Sequence, residues 1–400
     1  MSEASRARSR AAIPRTVWAL GLVSFFMDVS SETIHALLPL FLTTTLGASV
    51  ALVGIIDGVA ESTAAISKVF SGYISDRIGR RKPLILLGYG LGALSKPLFA
   101  IASSPALVFG ARLADRIGKG LRGAPRDALI ADVTPSEIRG RAFGLRQALD
   151  TAGAFAGPLM AIALMALFAD NMRAVFWVAL IPAVLAVVCV VVGVEDRAVG
   201  PDQARAPIRF PDLKRLPPAF WSIVALGVVF TLARFSEAFL VLRAFDQGLP
   251  LMLAPLVLVV MNVVYSIGAY PAGALSDRLP ARTLLLWGIA ALVAADLALA
   301  FGPGLAGAFA GIALWGAHMA LTQGLLAKLV ADHAPSELRG SAFGLFNLAT
   351  GLALLIASVA AGLLWDGVGP EATFVAGIVF AVITAVMLLS VKRAPPLASR

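Results

Sequence analysis

Apolar residues fill this chain in long runs separated by short polar breaks. Runs of about 20 residues, long enough as helices to cross a hydrocarbon layer of roughly 30 Å, fall at 17–42, 51–74, 83–102, 105–129, 141–167 and 174–194. Six more follow at 219–242, 251–274, 283–302, 305–330, 341–365 and 371–391. The pattern predicts an all-α integral membrane protein with twelve transmembrane helices. The one long break, 195–218, is rich in Pro, Arg and Asp. It divides the chain into an N-terminal six-helix bundle (1–194), a linker (195–218) and a C-terminal six-helix bundle (219–400).

The two halves are copies. Residues 132–145 recur at 332–345 with ten of fourteen positions identical. Gly72-Tyr-Ile-Ser-Asp-Arg77 recurs as Gly273-Ala-Leu-Ser-Asp-Arg278 at nearly the same offset. Internal duplication in so apolar a chain points to two pseudo-symmetric bundles and a membrane transporter whose site lies between them.

Composition agrees with a lipid environment: 59% of the 400 residues are hydrophobic and 14% charged, against about 25% charged in ordinary soluble domains. The net charge of +9 comes from residues scattered through the breaks, not from one cationic face, so it does not point to nucleic acid. It sets orientation instead. The N-terminal arm, Arg77/Arg80/Arg81/Lys82, Arg139/Arg141, 197–215, Arg278/Arg282, Arg339 and Lys392/Arg393 share one set of breaks, while the other set holds Arg173, Arg243 and little else. By the positive-inside rule both termini and the linker are cytoplasmic. A lone Cys189 leaves no disulfide or cysteine metal site. The first run carries acids and continues past Leu42, so it reads as a retained helix, not a signal peptide.

Charges inside the runs carry the chemistry. Arg112, Asp115, Arg116, Lys119, Arg122 and Arg126 recur at steps of 3 or 4, apart from the adjacent Asp115 and Arg116, and share one face of the fourth run. A charge facing lipid near the bilayer centre costs about 2.5–3.5 kcal/mol or more, so this face meets protein or water. Arg122 and Arg126 are close enough to the run's end to reach the interface. Asp28, Glu32 and His35 share a face of the first run, and Asp57, Glu61 and Lys68 a face of the second. Such carboxylates pair with a cation, bind a cationic substrate or take up a proton. Lys96, beside Pro97, is either a partner or a site residue. The second half is sparser: Asn262, His318, Gln323 and Lys328, a pair of Arg234 with Glu237, and Asp296. Structural ion pairing and substrate or coupling work both remain open for these groups. Gly88-Tyr-Gly-Leu-Gly92 follows no strand and reads as a helix-packing seam, not a nucleotide loop.

The break Gly72-Tyr-Ile-Ser-Asp-Arg-Ile-Gly-Arg-Arg-Lys82 resembles the loop between helices 2 and 3 of the major facilitator superfamily. Its copy near Gly273, with Pro280-Ala281 replacing Gly-Arg, is similar to that family's second-half version. Gly153-Ala-Phe-Ala-Gly157-Pro158 resembles the Gly-x-x-x-Gly-Pro element of its proton-driven exporters, although Ala161 and Ile162 stand where further glycines are usual. Arg112 is similar to their fourth-helix arginine, while Arg116 stands where they commonly have glycine.

The resemblance implies a transporter, not an enzyme, in the bacterial inner membrane, moving a small molecule out by alternating access in exchange for protons. The expected coupling residues are Asp28, Glu32, Asp57, Glu61, Arg112 and Asp115. The substrate cavity is expected to draw on His35, Lys68, Lys96, Arg116, Lys119, Asn262, His318 and Gln323. Gating falls to Gly72, Asp76, Arg77, Gly79, Arg80, Arg81, Asp277 and Arg278, and bending to Gly153, Gly157 and Pro158. No cofactor or metal is implied, and one chain suffices as the working unit. Uptake of an organic anion or siderophore complex, favoured by the cations of the fourth run, is the alternative. So is movement of a divalent metal on Asp28, Glu32 and His35.

Overall fold

The computed structural model describes residues 12–135, 138–196, 215–276, 279–335 and 338–390. Among these, 12–35 and 63–196 form one compact unit, and 36–62 and 215–390 form another. Most of the predicted linker, and Asp277 and Arg278 of the gating set, lie outside the described residues.

The first unit is built on α1 (Arg15–His35), the later part of α2 (Val50–Ile78), α3 (Lys82–Ile101), α4 (Pro105–Val133), α5 (Arg139–Leu167) and α6 (Met172–Gly193). Helix α1 packs on α5 and α6, and α3 on α4 and α6. The second unit takes the earlier part of α2 together with α7 (Pro218–Leu232), α8 (Ala238–Asp246), α9 (Leu256–Ser276), α10 (Ala281–Phe301), α11 (Gly304–His333), α12 (Arg339–Gly367) and α13 (Pro370–Ser390). There α7 packs on α12 and α13, and α10 on α11 and α13. The duplicated sequence therefore builds the same set of helix pairs twice.

Lipid tails are as apolar as leucine, so close packing rather than water exclusion joins such helices. Small residues supply the approach. A Cβ on Gly118 of α4 would sit 2.5 Å from the Gly88 carbonyl oxygen of α3, which makes the glycine-rich stretch at 88–92 the seam its sequence suggests. Gly316 of α11 meets the Met261 carbonyl of α9 just as closely, at 2.5 Å.

Among the described residues ten helical segments are long and apolar enough to span a membrane. Two of the predicted runs depart from that simple form. The fourth, now α4, is an unbroken 29-residue helix that the charges along it make too polar to qualify. The seventh is split: α7 stops at Leu232, five residues are non-helical, and α8 begins at Ala238. No Gly or Pro causes this interruption. Ser236 does, since its Oγ accepts from the Ala238 amide at 3.2 Å and its own amide donates to Ser358 Oγ at 3.2 Å, so the freed backbone groups find side-chain partners. The first run is interrupted at the matching place: α1 ends at His35, and a short turn leads through Leu38–Leu40 into a π-helical Phe41–Thr45.

Candidate functional site

In the first unit α5 approaches α1 through two glycines. A Cβ on Gly153 would lie 2.5 Å from the Phe25 carbonyl oxygen and 3.1 Å from Asp28 Cβ, and one on Gly157 would lie 2.8 Å from Glu32 Cβ. The Thr33 hydroxyl donates to the Gly157 carbonyl at 3.0 Å across the same seam. The glycines of the exporter-like element thus press α5 against the two acids of α1. Helix α5 runs through Pro158 without interruption.

That contact brings in a residue absent from the expected set. Asp150 lies three residues before Gly153 and seven before Gly157, on the same helix face, and its carboxyl group lies beside that of Asp28. Two carboxylates side by side repel, and a shared proton or a cation relieves that repulsion. Arg146 Nη2 stands 3.5 Å and Arg126 Nη1 3.9 Å from Asp150. Arg126 also donates to Ser24 Oγ at 3.0 Å and contacts the Tyr89 hydroxyl. Its reach is therefore inward to α1, α3 and α5, not outward to the interface as its place in the sequence suggests. Arg122 likewise turns inward: it is 5% exposed and lies over the Tyr89 ring at 4.6 Å.

A second cluster is more fully buried. Lys96 Nζ donates to Asp115 Oδ1 at 2.8 Å and to Ser31 Oγ at 2.9 Å, and Arg116 Nε stands 3.5 Å from Asp115 Oδ2. Lys96, Asp115 and Arg116 are each at most 3% exposed. Lys119, one turn on, is exposed and acts on both Asp28 and Glu32. Glu32 Oε2 lies 3.5 Å from His35 Nδ1. Arg112, 2% exposed, completes the buried face of α4. The first unit therefore gathers Asp28, Glu32, His35, Lys96, Asp115, Arg116 and Lys119 around α1, α3 and α4. Among the described residues no group of three or more His, Cys, Asp or Glu side chains is placed to hold a metal ion, and Asp28, Glu32 and His35 do not form one.

Asp57 and Glu61 do not join this gathering. They lie on the part of α2 that belongs to the second unit, where Asp57, 3% exposed, accepts from Ser236 Oγ at 2.8 Å. Lys68 is exposed, in the first unit. Asn262 is half-buried on α9, and Gln323 is exposed on α11. His318 is fully buried, its Nδ1 2.9 Å from the Gly288 carbonyl.

At the α2–α3 turn, Gly79 takes φ +69°, the left-handed conformation that ends α2 and that glycine adopts without strain. Arg81 is 7% exposed and donates to Ser75 Oγ at 2.6 Å and to Asp132 Oδ2 at 3.4 Å. Asp196 accepts from the Arg81 amide at 3.1 Å, satisfying the start of α3. Of the gating arginines, then, Arg81 ties the turn to the end of α4, while Arg77 and Arg80 are exposed. Gly72 faces Ala124 of α4 at van der Waals distance. The side chain of Asp76 lies outside the described residues. Asp132 and Asp196 were not singled out by the sequence, although Asp132 opens the repeated fourteen-residue segment.

Duplicated helical bundles, each with ionisable side chains buried among its apolar helices, define a polytopic membrane transporter. The sequence profile of the Major Facilitator Superfamily matches residues 20–358 and 256–400, and the chain belongs to that family. It is similar to an uncharacterized MFS-type transporter of Methanocaldococcus jannaschii, 30% identical and covering 94% of this chain and 95% of that one. A shorter similarity, 34% identical over 29% of this chain and 28% of the other, links it to the multidrug resistance protein MdtH of Edwardsiella ictaluri. Among solved structures, a bacterial homologue of the lysosomal transporter Spinster matches with a TM-score of 0.74 at 17% identity, covering 94% and 97% of the two chains. The nucleoside transporter NupG matches at 0.74 and 14%, covering 94% and 98%. These likenesses establish the fold. The chain is a multi-pass membrane transporter, not an enzyme.

Proposed function

We propose that this transporter works by alternating access and exports a small organic molecule in exchange for protons, with both termini and the linker on the cytoplasmic side of a bacterial inner membrane. The observation that carries the coupling is the Asp28–Asp150 carboxyl pair, side by side at the α1–α5 glycine seam with Glu32 and Lys119 acting on it. Asp28 lies thirteen residues beyond Arg15, about 20 Å along α1, so a proton bound there has crossed well into the hydrocarbon layer. Losing it leaves two carboxylates side by side, and their repulsion favours drawing a cation toward the pair or moving α5 against α1. Arg146 and Arg126 stand beside Asp150, and Lys119 acts on Asp28. Export is supported by the partial similarity to MdtH. Against anion uptake stands the engagement of the buried α4 cations: Arg116 and Lys96 are held by Asp115, and Arg122 by Tyr89 and the Gly88 carbonyl.

The test is substrate-induced proton release from the purified protein across a panel of lipophilic cations and neutral drugs, followed by flux in proteoliposomes under an imposed pH gradient. Asp28→Asn and Asp150→Asn are expected to insert normally, to exchange substrate across the membrane and to lose gradient-driven accumulation. Uphill flux equal to that of the parent protein in both variants would refute the assignment.

A further inference from the structure

We propose that Asp296, in the second unit, is a separate proton-binding site whose deprotonation is answered by Arg234 in the interrupted stretch between α7 and α8. Asp296 is 0% exposed, and neither carboxyl oxygen has a hydrogen-bond partner. The carboxyl rests in a recess left by Gly377 of α13. A Cβ there would lie 2.6 Å from Oδ2 and 3.2 Å from Cγ, and 3.4 Å from the carbonyl oxygen of Ala233, the first residue of the interruption. Any other residue at 377 would push the carboxyl out.

Among the described residues, the charged groups on the surrounding elements have partners of their own. On α8, Arg243 donates to the Leu299 and Ala300 carbonyls at 2.8 and 3.0 Å and pairs with Asp246 and with Glu371 of α13. On α11, His318 holds the Gly288 carbonyl through Nδ1 while its Nε2 is buried without a partner and within the field of Arg234, and His333 holds the Leu329 carbonyl. Arg282, on α10 itself, donates to the Leu389 carbonyl. On α12, Asp366 accepts from the Val50 and Ala51 amides. Glu237 acts on Arg234.

An ionised carboxylate without a donor in so dry a place is much less stable than the neutral acid, so the site as built holds a proton. A side chain that only filled space there would serve better without oxygens. The carboxyl has a use if a second arrangement supplies a cation. Arg234 follows Ala233 directly, its Nε is buried without a partner, and its guanidinium now lies 5.7 Å from the Phe230 ring centroid. Because residues 233–237 are non-helical, small dihedral changes re-aim Arg234 without breaking a helix. Ser236, two residues on, is bonded to Asp57 and Ser358, so the same movement is felt on α2 and α12.

The experiment is infrared difference spectroscopy of the purified full-length protein during pH titration. The expected result is a carbonyl stretch of an unbonded carboxylic acid that is absent from Asp296→Asn, present in Asp28→Asn, and lost reversibly as pH rises. In Arg234→Gln the loss is expected to move to higher pH by about 1 unit or more. Gly377→Ala, which displaces the carboxyl, should shift the band's frequency and serves if Asp296→Asn does not fold. A wild-type protein without the band at acidic pH, a band that never titrates, or an unchanged midpoint in Arg234→Gln would each overturn the proposal. Since the band is assigned through Asp296, these outcomes are independent of the Asp28–Asp150 pair.

Discussion

The buried pair of Lys96 and Asp115 makes an asymmetric prediction. Asp115 is the common anion of a cationic pocket: Lys96 Nζ at 2.8 Å, Arg116 Nε at 3.5 Å, and Arg122, whose Nη1 and the Asp115 Oδ1 lie 3.2 and 3.6 Å from the same Cβ position on Gly92. Asp115→Asn leaves Lys96 without its counter-charge and takes one from Arg116 and Arg122. Breaking a buried pair this way costs about 3–5 kcal/mol, and the crowding of like charge puts the cost at the upper end. Lys96→Met removes one of three cations and leaves Asp115 with two guanidinium groups, so about 1–3 kcal/mol is expected. The double variant Lys96→Met/Asp115→Asn should cost less than the sum of the singles by roughly 1 kcal/mol or more, since the ammonium left stranded by the first change is gone. Denaturation in mixed micelles followed by circular dichroism measures all three. The reasoning fails if Lys96→Met is as damaging as Asp115→Asn, or if the two effects simply add.

Two other substitutions test the packing. Gly157→Val places a side chain against Glu32 Cβ and the Val29 carbonyl and should destabilise the protein by about 1–3 kcal/mol, whereas Gly144→Val on the same helix, where a Cβ meets nothing within 4 Å, should be nearly neutral. Equal effects in the same denaturation assay would contradict the seam. Asp366→Ala removes the acceptor for the Val50 and Ala51 amides, at 3.1 and 2.7 Å. Loss of such a cap is worth about 1 kcal/mol, so hydrogen exchange in the first turn of α2 should quicken about fivefold. Unchanged exchange there would show that the carboxylate does not cap the helix.

Much of the site was legible because charge inside a membrane helix is so costly that its spacing reveals a protected face. The stripe from Arg112 to Arg126 is such a face, and Asp28, Glu32 and His35 share another. Partner choice was less legible. Asp150 shares a helix face with Gly153 and Gly157, but a run that reads as a hinge gives its spacing no chemical meaning. Asp57 and Glu61 match Asp28 and Glu32 in composition, yet belong to the other unit. Nothing in one helix's periodicity states which neighbour it meets, and a run interrupted by Ser236 instead of Gly or Pro leaves no mark in apolar content.

The sequence by itself determined that the chain is helical, duplicated and built for lipid, because backbone groups in hydrocarbon must satisfy one another within each helix and the apolar runs have the length to do so. Tertiary structure decided which buried charges answer which. That Asp115 serves several cations, that Asp28 meets Asp150, and that Asp296 meets no one depends on where small residues let helices come close. Those approaches are set by pairs of surfaces, and no single segment of sequence contains both members of a pair.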